Sequence, residues 1–241
     1  MPVLTKEQLS NGYNMAPDSF LNKAVGQIQS GERDLPYRAE QVKDYKVQDE
    51  LWLVCTQLSL TQREQKRIVN EWVEFLQTNT KTIKLLYFRS RVPQVLLDAA
   101  CCQENLEELH IKWGGYKDLS ALRKLSNAKQ LKHLYIGSGA GVEDLSPLTE
   151  MKNLTSLYIV NFKKIEDYSP LAALQNLEQL IISGPILGQA PIKDYEFLRK
   201  MPNLLSVWFP NISVRKKYTS EELASLRAAL PNLTFVYDSG F

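Results

Sequence analysis

Cysteine is scarce in this 241-residue chain. Cys55, Cys101 and Cys102 are odd in number and fit no disulfide or metal framework, so they read as small buried hydrophobes in a reducing compartment. Histidine is scarcer still. His110 and His133 have Glu108 and Asp118 nearby, but no recognised ligand spacing, and a metal site is not expected. Charge of one sign is lacking too: 29 basic against 27 acidic residues leave a formal net charge of +2, which argues against nucleic-acid or membrane binding through a long-range field. The one compact basic run, Arg215-Lys-Lys217, falls in a long loop and is expected to be solvated. The chain has no apolar run of membrane-spanning length. Its opening, Met1-Pro-Val-Leu-Thr-Lys-Glu, has no charged region followed by an apolar stretch, and the expected location is the cytoplasm. No Ser/His/Asp or Cys/His set has positional support, so an enzyme is not expected, nor is a cofactor.

What is present is a repeat. Segments of the form Leu-x-x-Leu-x-Ile begin at residues 83, 106, 131, 154, 177, 204 and 233 and include Leu106-Glu-Glu-Leu109-His-Ile111, Leu131-Lys-His-Leu134-Tyr-Ile136 and Leu154-Thr-Ser-Leu157-Tyr-Ile159. A period in this range indicates a solenoid, in which each unit buries its apolar face against its neighbours. The second half of each unit repeats as well: Tyr116-Lys-Asp118-Leu-Ser-Ala-Leu122, Val142-Glu-Asp144-Leu-Ser-Pro-Leu148, Ile165-Glu-Asp167-Tyr-Ser-Pro-Leu171 and Ile192-Lys-Asp194-Tyr-Glu-Phe-Leu198. Ser146-Pro147 and Ser169-Pro170 read as an N-cap followed by proline at the first helical position. The aspartates recur with the repeat, so turn capping explains them better than acid–base chemistry. Each unit is expected to be a short strand, a turn and a brief helical return.

These motifs resemble the leucine-rich repeat family, in its short bacterial, internalin-like class with Asp-Leu-Ser-Pro-Leu returns, over about residues 83–238. The resemblance implies an α/β solenoid: a horseshoe with a parallel, concave sheet of about eight strands. The family's asparagine at the ninth position of each unit is replaced by Gly114, Gly139, Phe162 and Pro185, while Asn161 and Asn211 fall one place earlier. These turns must therefore satisfy their backbone groups in another way. Gly137-Ser-Gly-Ala-Gly141, which by itself looks like half a dinucleotide loop, occupies one of these turns and reads as a tight turn.

An eighth strand is expected at Leu51-Trp-Leu53-Val-Cys55, followed by a helix carrying Ile68, Trp72, Val73 and Phe75 behind a Thr61/Glu64 capping box. Residues 1–45 lie outside the repeat and read as an N-terminal cap, with a helix from Pro17 through Ile28 ending near Gly31. Residues 46–241 form the repeat domain. They include a C-terminal helix over Ser220–Leu230, bounded by Thr219 and Pro231, and one last strand.

The candidate site is a column of residues midway between the inward-facing positions: Trp52, Tyr87, His110, Tyr135, Tyr158, Ile181, Trp208 and Tyr237. Side chains alternate along a strand, so these face the concave surface, flanked by Arg89, Glu108, Lys112 and His133 in its charged half and by small polar residues in its middle. Tyrosine and tryptophan dominate binding hot spots. The family resemblance likewise implies a protein-binding role. The expected function is a protein-interaction module, in one form a bacterial immunity protein neutralising a toxin. A carbohydrate or peptidoglycan-fragment binder and an intracellular scaffold subunit are the alternatives.

Overall fold

The computed structural model describes residues 26–32, 38–46, 48–127 and 130–237. Nine parallel strands form one sheet in which neighbours in space are neighbours in sequence, apart from two short outer strands. They are β1 (Arg38–Ala39), β2 (Glu50–Leu53), β3 (Leu85–Pro93), β4 (Glu108–Gly115), β5 (His133–Ile136), β6 (Ser156–Val160), β7 (Gln179–Ser183), β9 (Ser206–Trp208) and β11 (Phe235–Tyr237). The outer pair, β8 (Ala190–Ile192) and β10 (Ile212–Val214), joins the two lengthened units behind the sheet. The architecture is the leucine-rich repeat solenoid that the periodicity implies.

One strand exceeds the eight expected: β1 pairs with β2 and carries the sheet into the segment set apart as a cap. Of the helix expected over 17–28, only 26–28 fall within the described residues, where the helical stretch runs 26–29. It is closed by Gly31 at φ 75°, the left-handed stop that glycine takes without a Cβ clash. The rest of that helix lies outside the described residues.

Behind the sheet run the returns. The first two are helices, α1 (Gln62–Thr78) and α2 (Gln94–Ala100). The next four are 3₁₀ turns: Ser120–Asn127, Ser146–Glu150, Ser169–Ala173 and Glu196–Lys200. A last helix, α3 (Ser220–Ala228), precedes β11. The Thr61/Glu64 capping box is formed as expected, and Thr219 and Glu222 make a second at the start of α3. Helix α1 buries Ile68, Val69, Trp72 and Leu76, and the Trp72 indole N–H donates to the Glu40 carbonyl at 2.9 Å, tying the helix to the chain just beyond β1.

The core is a stack of leucine layers. Leu86, Leu109, Leu134, Leu157, Leu180 and Val207 share one register across the sheet, and all are buried. Parallel strands repeat about every 4.8 Å, whereas a packed helix needs roughly 10 Å. The sheet therefore lies on the inside of the curve and the returns on the outside.

The expected serine N-caps are not found. Ser146 and Ser169 are the first residues of their turns, and the capping side chain is the aspartate two places earlier. Asp144 Oδ1 accepts from the Ser146 N–H at 2.7 Å and Asp167 Oδ1 from the Ser169 N–H at 2.9 Å. Asp118 does the same for Ser120 at 2.7 Å, and Asp194 for Glu196 at 2.9 Å. The aspartates thus satisfy the free N–H groups that open each return. Hydrogen bonds from Ser146 hold the Asp144 carboxyl below its ordinary range, and the Ser169 N–H does so for Asp167.

The turns that follow each strand also solve their backbone problem without the ninth-position asparagine. Asn161 and Asn211, one place early, take left-handed backbone at φ 59° and 57°, as does Ser138 at φ 55°. Asparagine tolerates that region better than most residues, which accounts for its displaced position. Neighbouring turns bond in series: the Asn161 N–H donates to the Ser183 carbonyl at 2.7 Å, and the Gly184 N–H to the Pro210 carbonyl at 2.8 Å. The glycine-rich turn is a packing device. The Gly137 carbonyl accepts from the buried Tyr116 hydroxyl at 2.9 Å, and a Cβ on Gly137 would sit 2.2 Å from the Lys112 carbonyl oxygen.

Candidate functional site

Strand pairing places the aromatic column in one unbroken register: Trp52, Tyr87, His110, Tyr135, Tyr158, Ile181, Trp208 and Tyr237 are successive Cα partners. The rings contact one another along the first five positions. Trp52 and Tyr87 meet edge to face with centroids 5.0 Å apart, and Tyr87 and His110 at 5.5 Å. His110 stacks on Tyr135 at 5.5 Å, and Tyr135 meets Tyr158 edge to face at 4.6 Å. Such pairs add roughly 0.5–1.5 kcal/mol each beyond their buried area and hold the rings in fixed rotamers. Burial, with neighbouring phenols adding to it, pushes the Tyr135 phenol pKa up, and burial does the same for Tyr158, so both hydroxyls stay neutral donors near neutral pH.

The column is not uniformly accessible. Tyr87, Tyr135, Tyr158 and Trp208 are half-buried and present part of each ring outward, with Arg89 and Lys112 half-buried beside them. The side chain of Tyr237 lies outside the described residues. Four expected contact residues are enclosed: Trp52, Glu108, His110 and His133 are at most 6% exposed. The reason lies in the neighbouring register. Glu108, His133, Ser156, Gln179 and Ser206 form a second column two residues before the aromatic one, and all five are buried. Two hydrogen bonds tie members of this column to partners on the same face. His110 Nε2 lies 2.5 Å from Glu108 Oε1, and the Ser156 hydroxyl donates to Gln179 Oε1 at 3.0 Å. A buried carboxylate needs such a partner. Glu108 and His110 are therefore buried against each other instead of presenting charge on the face.

Two strands run further than the repeat motif. After an irregularity between Phe88 and Arg91, β3 and β4 pair again as Arg91 with Trp113 and Pro93 with Gly115. This extension carries Arg91 and Trp113 to exposed positions near the C-terminal ends of the two strands, a rim of the sheet where Trp113 is 43% exposed. Neither residue was expected in the site, because both follow the Leu-x-x-Leu-x-Ile motif. The sequence signal that could have found them is Arg89-Ser-Arg91 against Lys112-Trp113 at equivalent places in adjacent units.

Elsewhere, Cys55 and Cys101 are buried free thiols, and burial pushes the Cys55 thiol up to about 12, far from a reactive thiolate. Among the described residues, no cluster of His, Cys, Asp and Glu has the makings of a metal site. No helix among them is long and apolar enough to cross a membrane. The basic run is not simply solvated. Arg215 Nε reaches Glu166 Oε2 at 2.6 Å, and Lys216 reaches Glu196 at 2.8 Å and Glu222 at 3.2 Å. These pairs clip the long loop to the returns on either side of it. The lengthened turn before β8 carries Ile186 and Leu187, both about nine-tenths exposed.

No family model and no curated protein matches the chain. Among solved structures, an internalin of Listeria monocytogenes is 23% identical with a TM-score of 0.47, over 67% of this chain and 49% of its own. Internalin C2 of the same species is 21% identical with a TM-score of 0.45, over 69% of this chain and 77% of its own. A leucine-rich repeat protein of Leptospira interrogans is 12% identical with a TM-score of 0.43, over 84% and 58%. The chain spans about half the length of the first of these internalins.

Proposed function

We propose that this leucine-rich repeat chain is a protein-binding module that receives its partner on the concave face, through Tyr87, Tyr135, Tyr158 and Trp208. The observation that carries the reading is the register of half-exposed rings, flanked on the same face by a buried polar column. Rings already held by their neighbours lose little rotamer freedom when a partner covers them, and their large amphipathic area suits a hot spot. An immunity protein occluding a toxin is the form of this role that most needs tight binding, and a preordered aromatic face supplies it. A scaffold subunit would use the same face with less demand on affinity.

The carbohydrate reading asks for hydrogen-bonding groups exposed beside the rings. Ser156, Gln179 and His133, the groups nearest in register, are buried, and the first two bond to each other. That arrangement favours a protein partner over a sugar.

The test is affinity capture from the native host with the wild type beside a Tyr135→Ala/Tyr158→Ala/Trp208→Ala variant, both verified as folded by circular dichroism. We expect a polypeptide retained by the wild type to be weakened roughly a hundredfold by the variant, as loss of several hot-spot rings would give. Its identity separates immunity from scaffolding. Equal capture by both proteins would remove the concave face as the site.

A further inference from the structure

Three cations lie on the adjacent, extended strands β3 and β4, next to the first rings of the column. Arg89 lies 5.6 Å from the centroid of Trp52 and 5.7 Å from that of Tyr87. Lys112 Nζ lies 4.6 Å from the centroid of Trp113. Arg91 is exposed on the same extension, opposite Trp113. Its backbone is pinned by the preceding unit: the Arg91 N–H donates to Gln57 Oε1 at 3.1 Å, and the Thr56 hydroxyl donates to the Arg91 carbonyl at 2.6 Å. The guanidinium crosses Gly115, where a Cβ would come within 2.9 Å of Arg91 Nε, so that glycine keeps its place open.

Elsewhere on this chain cations are commonly matched by carboxylates, as in Lys81 with Glu104, Lys84 with Glu107 and Arg199 with Glu196. Arg89, Arg91 and Lys112 have no carboxylate within ion-pair reach among the described residues. Like charges on adjacent strands destabilise a sheet, and here ring contacts to Arg89 and Lys112 offset part of that cost. A carboxylate arriving from outside would meet unmatched cations already oriented by rings and backbone, so little ordering would oppose it.

We infer that this rim is the subsite for an acidic segment of the protein partner, whose Asp or Glu side chains bridge Arg89, Arg91 and Lys112 while an apolar neighbour packs on Trp113. The inference rests on the concave-face reading and adds the partner's chemistry to it. A polypeptide fits better than a nucleic acid. Beyond β4 the positions equivalent to Arg89 and Lys112 are Gly137, Val160, Ser183 and Pro210, so no track of charges continues for a phosphate backbone to follow.

Fluorescence anisotropy with a labelled synthetic peptide of alternating glutamate and glycine tests this on the full chain. Saturable binding is expected, weakening as salt rises from about 50 to 300 mM. Arg89→Gln/Arg91→Gln/Lys112→Gln should weaken it roughly tenfold or more. Arg67→Gln/Lys84→Gln/Lys164→Gln removes equal charge from positions already paired, and should leave binding unchanged. Absence of wild-type binding, equal losses in both variants, or tighter binding of a single-stranded oligonucleotide of the same charge would each overturn the proposal. Its failure is distinguishable from that of the concave-face reading. If the rim fails alone, capture of the partner still depends on Tyr135, Tyr158 and Trp208. If the concave reading fails alone, peptide binding still depends on the three cations.

Discussion

Gly139 and Phe162 show how a single position can be read wrongly from composition and correctly from packing. Phe162 stands where the family places asparagine, and it is fully buried against Gly139 of the neighbouring turn. A Cβ on Gly139 would lie 1.9 Å from Phe162 Cε1, so the glycine is there to leave space for a ring. Gly188 is the opposite case: its surroundings are open, but its φ is 88°. Gly139→Ala should destabilise by about 1–3 kcal/mol through overpacking. Gly188→Ala should cost roughly 1–2 kcal/mol through the backbone alone. Chemical denaturation of each variant with and without Phe162→Leu separates the two causes. The second substitution should recover part of the loss at Gly139 and none at Gly188, and equal behaviour would refute the packing account.

At the scale of the element, short polar side chains anchor the returns, and those at Ser169–Ala173 and Glu196–Lys200 are held in this way at both ends. The aspartates open them, as described. Asparagines close them: Asn105, Asn176, Asn203 and Asn232, each just before a strand, donate to carbonyls of the preceding unit at Lys81, Lys152, Gln175 and Pro202, over 2.7–3.0 Å. The chain thus has an asparagine ladder, at the entry to the strands instead of their exit. The recurrence of asparagine at that place is visible in the sequence, at a position other than the one the family resemblance points to. The last returns add an ionic clip, Glu196 held by Lys216 and Arg199. Hydrogen bonds from Lys216, then Arg199, lower the Glu196 carboxyl from its ordinary 4.5 to about 2. A folded-state value below the unfolded one means the stabilisation is complete above about pH 4.5 and is lost as pH falls toward 2. Glu196→Gln should therefore lower the denaturation midpoint at pH 7, and the gap to wild type should close through that acid window. The loss should be under ~1 kcal/mol, because the pair is partly exposed to solvent. A gap independent of pH would show that the clip is not ionic.

For the whole molecule, stability follows from stacking. Each unit contacts the units beside it, so the two ends have one neighbour where the middle has two. Among the described residues, the two-residue β1 pairs only with β2, and β11 only with β9. Amide hydrogen exchange should show the strongest protection in β4 through β7 and the weakest at β1 and β11. Uniform protection would instead mean that the solenoid unfolds as a single cooperative block. A graded solenoid also bears on binding, because the rings and rim cations of β3 through β6 lie on the best-supported part of the sheet.

The sequence by itself determined the solenoid, the register of the aromatic column and the capping role of the aspartates. All three follow from a period that places the same residue in the same local setting unit after unit. Only the tertiary structure decided which members of the column face outward. Glu108, His110 and His133 look like surface charge by alternation alone, yet all three are buried, and that enclosure depends on side-chain volumes meeting across the sheet. The rim of Arg91 and Trp113 was likewise settled in three dimensions, because an irregularity after Phe88 carries β3 past its motif and β4 follows it. Periodicity reports what each unit shares, and what distinguishes one unit from the next emerges only where they touch.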